Sequence, residues 1–445
     1  MIKTFKEAEL FLYSLIRPTT FARIEADSIL IDPLERMRIL LEHLGNPHKS
    51  YPSIHVSGTS GKGSTAYFIS QILKEAGYKT GLTISPHLEK VSERIFIDGE
   101  VLTDGEFVQY LQEIEPVVEK MRKSKIGAPS YFEVLIACAF LSFQRAKIDI
   151  AVVEVGLEGR FDATNVLTPL VGVLTNISLD HTAILGSTVE LIATEAVSFI
   201  SEGMHLVTGV TQPTLQRIIT DAVHSKKITS SFLGKDFDYE IVSSNNNGSI
   251  FSWTHGKIRS DNIEVSLPGL FQIDNATLAI EAVSQLENFV VSGENVRFAL
   301  ANSYFPGRFE IINKNVILDG AHNQAKMNGF LTSLREYYKN TKKVFILSFK
   351  KQKEIEVMIE NIIPLADEVI LTKFSTPTDT DYLAAIEPQV IESVFKKKGY
   401  RKNIVITDSV PEAVQIAKDK LKEDTLVIFT GSLYLVGEAR TYFKE

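Results

Sequence analysis

Short β-rich apolar runs alternate along the chain with stretches of helical periodicity, and this alternation predicts most of the elements. IHVSG (54–58) reads as a buried strand, 62–76 as a helix stopped by Gly77, and 79–84 as the next strand. An apolar helix over 131–145 leads into the strand IDIAVVEVG (148–156), and LVGVLTNIS (170–178) reads as a further strand. A helix over 188–201 and a strand at 205–208 follow. Buried strands joined by helical crossovers imply a parallel sheet, so the class is α/β.

The pattern changes at about 228–266, which is Ser/Asn-rich with NNNGS (245–249) as a turn between short alternating segments. It predicts an antiparallel excursion attached to the main sheet. Helical periodicity returns at 273–286, and a second α/β pattern begins near Arg308, with strands expected at 315–319, 343–349, 368–372, 403–407 and 425–431. NSYFPG (302–307) breaks both patterns, which places a domain boundary near residue 303: 1–302 and 303–445. A chain of 445 residues exceeds one ordinary core, which agrees with two domains.

Composition narrows the class further. The chain is 44% hydrophobic and 23% charged, with a formal net charge of -8. That balance argues against a general nucleic-acid or membrane-surface binder, though it leaves room for a focused phosphate site. The single cysteine, Cys138, lies in an apolar run, so no disulfide can form within the chain, which fits a reducing compartment. The N-terminal MIKTFKEAEL is amphipathic and lacks the apolar core of a secretion signal, and no apolar stretch reaches membrane-span length. The expectation is a cytoplasmic protein.

The segment with the clearest chemistry is GTSGKGST, Gly58 to Thr65, between a predicted strand and a predicted helix. Gly61 and Gly63 allow a tight turn whose N–H groups point inward, together with those of Thr59 and Ser60, and the helix N-terminus adds partial positive charge. Lys62 brings a full charge to the outer phosphates of a nucleotide, and Ser64 sits where a hydroxyl can bind Mg2+. The spacing is shorter than the common GxxxxGK[ST] form, and a glycine-rich turn without a ligand is the alternative.

GTSGKGST resembles the ATP loop of the Mur ligase superfamily, most closely its branch of dihydrofolate synthases and folylpolyglutamate synthases. SPHL (85–88), the ERI-x-I-x-G pattern (93–99), YFE (131–133), EVGLEGRFDATN (154–165), LDHTAILGSTVELIA (179–193), FPGRFE (305–310), DGAHN (319–323) and TGSLYLVGEAR (430–440) follow in that branch's order. The resemblance implies a Mur-ligase-like central phosphate-loop domain with a parallel sheet, and a smaller Rossmann-like α/β C-terminal domain closing over ATP. It also implies the reaction. ATP phosphorylates the carboxylate of dihydropteroate or a reduced folate, and L-glutamate attacks the acyl phosphate to form an amide. The family default is a monomer, with no nucleic-acid or membrane partner.

The resemblance assigns roles residue by residue. Glu154, at the end of a buried strand, would hold Mg2+ with Ser64 and Ser85, and His181 a second Mg2+. Asn275 would read adenine, Arg308 would bind phosphate from the second domain, and Asp319 would position the nucleotide. His322 belongs to the motif linked to the incoming glutamate, so Lys62, Glu154, His181 and His322 are the expected catalytic set. Tyr131, Phe132, Glu133, Phe161, Asp162 and Ala163 match segments lining the pterin-acid site. On sequence alone, a turn serine, a structural histidine and ordinary helix packing stand as alternatives for Ser85, His181 and the Tyr131–Phe132 pair.

The sequence departs from the family at informative places. The family carries a carbamylated lysine in an EKAG segment, and the carbamate helps hold the second metal. Here Ala196 takes that position, and no lysine occurs between Lys147 and Lys226. Three explanations stand: His181, phosphates and water hold the metal alone; Glu195 or another carboxylate substitutes; or ligase chemistry is lost. Gln324 follows DGAHN where proline is usual, Lys350-Lys351-Gln352-Lys353 replaces a DKD segment, and Glu158 stands where glycine is usual. A Mur-type ligase for another acid, and a nucleotide-binding protein without ligase activity, are the competing functions.

Overall fold

The computed structural model describes residues 2–16, 33–157, 159–379, 385–422 and 424–444; Glu158 lies outside them. Among the described residues seventeen strands, β1 to β17 in chain order, form three sheets. The first eight are Ser53–Ser57, Thr80–Thr83, Ile95–Ile97, Glu100–Val101, Ile150–Glu154, Val171–Leu174, His205–Thr208 and Thr229–Phe232, in the order β4-β3-β2-β5-β1-β6-β7-β8. All pairs from β2 to β8 are parallel, and β3 and β4 add an antiparallel edge. β1 and β5 are buried at every position, because helices cover both faces of this sheet.

One face packs on the Lys62–Glu75 and Phe271–Ser284 helices, and Val56, Phe68, Val173 and Ala279 share that core. The other packs on Tyr131–Ala146, where Phe140, Phe143 and Val153 meet residues of the Phe5–Tyr13 and Asp104–Arg122 helices. The Tyr131–Ala146 helix begins with a capping box: Ser130 Oγ accepts from the Glu133 N–H, and Glu133 Oε2 accepts from the Ser130 N–H. Among the described residues no helix is long and apolar enough to cross a membrane.

The excursion at 228–266 differs from expectation. Its first strand, β8, is parallel and extends the main sheet. β9 (Phe237–Asn245), β10 (Gly248–His255) and β11 (Ile258–Val265) form an antiparallel sheet of their own, with the NNNGS turn between β9 and β10. Phe251, Trp253, Ile263 and Val265 bury one face of this sheet in the core beside the Phe271–Ser284 helix, so packing and a single Leu233–Phe237 bridge, not a shared ladder, join it to the main body.

β12 (Glu310–Ile312), β13 (Val316–Leu318), β14 (Lys342–Leu347), β15 (Glu368–Leu371), β16 (Ile404–Ile406) and β17 (Thr425–Thr430) form the third sheet, in the order β12-β13-β17-β14-β15-β16. It is parallel except for β12. The sequence pattern missed β12, a three-residue edge strand too short to show alternation.

Candidate active site

In an open parallel sheet, the carboxyl ends of the strands are where loops can gather around a ligand. Here β1 runs between β5 and β6, and the three carboxyl ends deliver Gly58–Ser64, Glu154 and Thr175–Asn176 to one place. The loop after β1 is moored to the end of β6. Thr175 Oγ1 donates to Ser60 O at 2.6 Å, Asn176 Nδ2 donates to Ser60 O at 2.9 Å, and Asn176 Oδ1 accepts from the Ser60 N–H at 3.0 Å.

Two glycines are required by this packing. Gly58 has φ 123°, and a Cβ there would lie 2.2 Å from Thr175 Oγ1; Gly61 has φ 84°, and a Cβ would lie 2.2 Å from Asn275 Oδ1. Lys62 Nζ folds back to Gly58 O at 2.6 Å. Ser60 Oγ is buried without a hydrogen-bond partner, a donor left for something the loop encloses.

Glu154 is buried, and its Oε2 accepts from the Ser85 N–H at 2.7 Å. Burial pushes its carboxyl above the usual range, and Lys62, the Ser85 N–H and Arg308 pull it back. A carboxylate beside two hydroxyl-bearing residues, Ser64 and Ser85, is a hard-oxygen donor set that suits Mg2+.

The opposite wall comes from beyond residue 303. Arg308 is half-buried, with its guanidinium 5.3 Å from the Phe305 ring, and Phe305 stacks on Tyr67 at 4.7 Å. Phe309 takes φ 48°, an outlier for an aromatic residue. Asp319 holds it there: Oδ2 accepts from the Phe309 N–H and Oδ1 from the Ala321 N–H, both at 2.8 Å. Burial pushes the Asp319 carboxyl up to about 6. Asp319 therefore shapes the loop that presents Arg308, a role for which sequence gave no signal.

His322, Lys326 and Lys353 complete this wall. His322 Nδ1 lies 2.7 Å from Gly320 O, and Nε2 lies 3.0 Å from Lys326 Nζ. Burial, followed by the charge of Lys62, pushes Lys326 down to about 7. Lys353 crosses to the other wall, where its ammonium lies 2.5 Å from Asp180 Oδ1; Asn323 Nδ2 donates to Asp180 Oδ2 at 2.8 Å. Burial would raise the Asp180 carboxyl, but His181 and Lys353 hold it far below the usual range. His181 itself sits at φ 49°, strained backbone at the cleft. The basic run 350–353 is therefore not simply a solvated loop.

Ser60, Gly61, Lys62, Ser64, Ser85, Glu154, Asp180, His181, Asn275, Arg308, Asp319, His322, Lys326 and Lys353 line one cavity of about 1320 Å³, together with Thr59, Gly63, Tyr131, Phe132, Glu133, Phe161, Asp162 and Ala163. Several of the predicted pterin-site groups are also occupied structurally. Tyr131 is buried against Arg94, and Glu133 pairs with Arg36 at 2.9 Å. Asp162 accepts from the Leu157 and Thr164 N–H groups at 2.8 and 2.9 Å and from the Thr164 hydroxyl. The Asn275 amide donates to Gln272 Oε1 at 2.9 Å and packs against Gly61.

Comparisons with known proteins match segments on both sides of this cavity. The Mur ligase middle domain matches residues 56–283, and the dihydrofolate synthetase C-terminal domain matches 309–441. The chain is 33% identical over 421 residues to the dihydrofolate synthase/folylpolyglutamate synthase of Bacillus subtilis, covering 92% of this chain and 95% of that one. This chain belongs to the dihydrofolate synthase/folylpolyglutamate synthase family. A Mycobacterium tuberculosis family member is also 33% identical, over 93% of this chain and 90% of its own. Among solved structures, M. tuberculosis folylpolyglutamate synthase complexed with ADP superposes with a TM-score of 0.89 at 28% identity, over 99% and 98% of the two chains. The Escherichia coli enzyme FolC in complex with DHPP and ADP gives 0.83 at 25% identity, over 99% and 97%.

Membership in this family makes the departures more pointed. Ala196 is buried in an apolar cluster with Ile192 and Phe199, outside the cavity lining. Glu195 lines the cavity but is ion-paired with Arg160. Lys326 and Asp180 were not singled out by sequence reasoning. Their signal was weak: Lys326 lies one helical turn beyond His322, and Asp180 sits within LDHT.

Proposed function

We propose that this chain is an ATP-dependent ligase that joins L-glutamate to dihydropteroate, to a reduced folate, or to both. The observation that carries the reading is the pairing of a moored phosphate loop with an opposed cationic wall, Arg308 and Lys326, across one cavity. Backbone N–H groups of 61–64 and Lys62 bind the polyphosphate, those of Thr59 and Ser60 being taken by Asn176, and Asn275 holds the loop in the turn that Gly61 permits. Ser64, Ser85 and Glu154 would hold Mg2+, which would neutralise charge on the phosphates. Arg308 and Lys326 stabilise negative charge on the transferring phosphoryl group.

A carboxylate resists attack by an amine because its oxygen is a poor leaving group. Phosphorylation of the acid gives an acyl phosphate; the glutamate nitrogen attacks the carbonyl carbon, the C–O bond to phosphate breaks, and the nitrogen loses its proton. The pocket of Tyr131, Phe132, Phe161 and Ala163 is assigned to the acid's ring system, with Glu133 and Asp162 shaping its walls. His181 and His322 both line the cavity near Asp180. The division at 302 and 303, a cytoplasmic location and a monomeric state belong to the same reading.

The test is phosphate release with ATP, Mg2+ and glutamate, supplying dihydropteroate and tetrahydrofolate in separate reactions, with mass spectrometry of the products. A gain of one glutamyl unit on either acid supports the reading and assigns the acceptor. Turnover only with nucleotide-linked acids would move the chain to another Mur-type substrate. ATP binding without product from any acid would leave a nucleotide-binding protein.

A further inference from the structure

The resemblance implies a second divalent cation at His181, and the residues around His181 do not fit one. Of the facing groups, Asp180 is the adjoining carboxylate, and both its oxygens are taken: Oδ1 by the Lys353 ammonium at 2.5 Å and Oδ2 by Asn323 at 2.8 Å. Position 196 is a buried alanine, and Glu195 is paired with Arg160. Among the described residues, no three His, Cys, Asp or Glu side chains gather as a metal-binding group. A small hard cation needs anionic oxygen donors. The cleft instead brings ammonium groups: Lys62, Lys326 and Lys353 line it together with His181.

Lys326 is the most telling of these. Gly320 O can only accept, so His322 Nδ1 carries the proton and its Nε2 presents a lone pair, to which Lys326 donates. His322 thus fixes the ammonium and leaves its other N–H bonds to the cavity. Lys326 stands in the first turn of the Gln324–Tyr337 helix, whose positive end disfavours a cation, and it shares the cleft with Lys62 and Arg308. An anion between these groups relieves the arrangement.

We propose that the ammonium groups of Lys326 and Lys353 stand in place of the second divalent cation and contact the transferring phosphoryl group, so that this ligase works with one Mg2+ per nucleotide, at Ser64, Ser85 and Glu154. The inference rests on the ATP-site reading above. The chain then has no need of a carbamate at position 196.

The unmodified protein is dialysed to equilibrium against Mn2+ and a non-hydrolysable ATP analogue, with bound Mn2+ counted by electron paramagnetic resonance and bound nucleotide counted separately. One Mn2+ per bound nucleotide is the expected result. Two, or none, per bound nucleotide overturns the inference while leaving the ATP site intact. Failure of the nucleotide to bind is a different result and overturns both readings. In a second measurement, Lys326→Met is expected to slow phosphate release by about 10²-fold. Lys326→Arg, which keeps the charge, is expected to restore most of the rate. A Lys326→Met rate within twofold of the parent would also overturn the inference.

Discussion

On the N-terminal wall of the cleft, chemistry and backbone are written in one contiguous segment: Gly58 to Ser64 turns, encloses and carries its own lysine, and Thr175 and Asn176 moor it. On the C-terminal wall, Arg308, His322, Lys326 and Lys353 come from three separate loops and a helix start, and each is held by a different partner. The first wall is a fixed cradle of backbone N–H groups. The second is a set of cations whose mutual repulsion is tolerated because the site is meant to be filled by an anion. Substitutions should therefore act differently on the two walls: on the first they damage binding and chemistry together, and on the second they trade stability of the empty protein against rate.

The largest expected effect tests the first wall. Lys62→Met removes the lysine charge from the loop and is expected to lower the rate of phosphate release by about 10³-fold, measured under saturating ATP. A loss below about tenfold would mean that the opposite wall carries the phosphoryl charge alone and would erase the contrast.

Gly61→Ala is the next largest. The added Cβ meets Asn275 Oδ1 at a position where φ is already 84°, so the loop must shift. Nucleotide affinity, read by titration calorimetry, is expected to fall by at least about tenfold, with a destabilisation of about 1–3 kcal/mol. An unchanged affinity would show that the cradle is more adaptable than its hydrogen bonds imply.

The smallest effect has the opposite sign and belongs to the second wall. Lys326 is pushed down to about 7 from an ordinary lysine value of 10.5. The folded protein thus holds this proton less tightly than the unfolded chain, which penalises folding fully below pH 7 and progressively less as pH rises toward 10.5. Lys326→Met is expected to raise the melting temperature of the nucleotide-free protein at pH 6.5, with the gain shrinking by pH 9.5. A gain that is absent, or that grows with pH, would show that the lysine is not strained in the empty cleft.

How much of this was legible follows the same divide. The strands with continuous apolar runs, the helix after Gly61 and the separate α/β pattern after residue 303 all appear in the local sequence, because burial on both faces of a parallel sheet leaves a local signature. The residues singled out for the site all line one cavity, since their motifs sit at strand ends and loop starts. What the sequence hid was long-range. Nothing local says that Lys353 reaches Asp180, that Asp319 spends both oxygens on the Phe309 and Ala321 backbone, or that Asn275 packs on Gly61. The antiparallel sheet was visible as alternation, but its detachment from the main sheet depends on packing against the Phe271–Ser284 helix.

The central claim is that a phosphoryl group passes from ATP to the acid's carboxylate before glutamate attacks. The most direct measurement labels that carboxylate with a heavy oxygen isotope and follows the label through one turnover by mass spectrometry. One labelled oxygen is expected to leave in the released phosphate for each glutamate joined. Phosphate released without label, while glutamate is still joined, would contradict it.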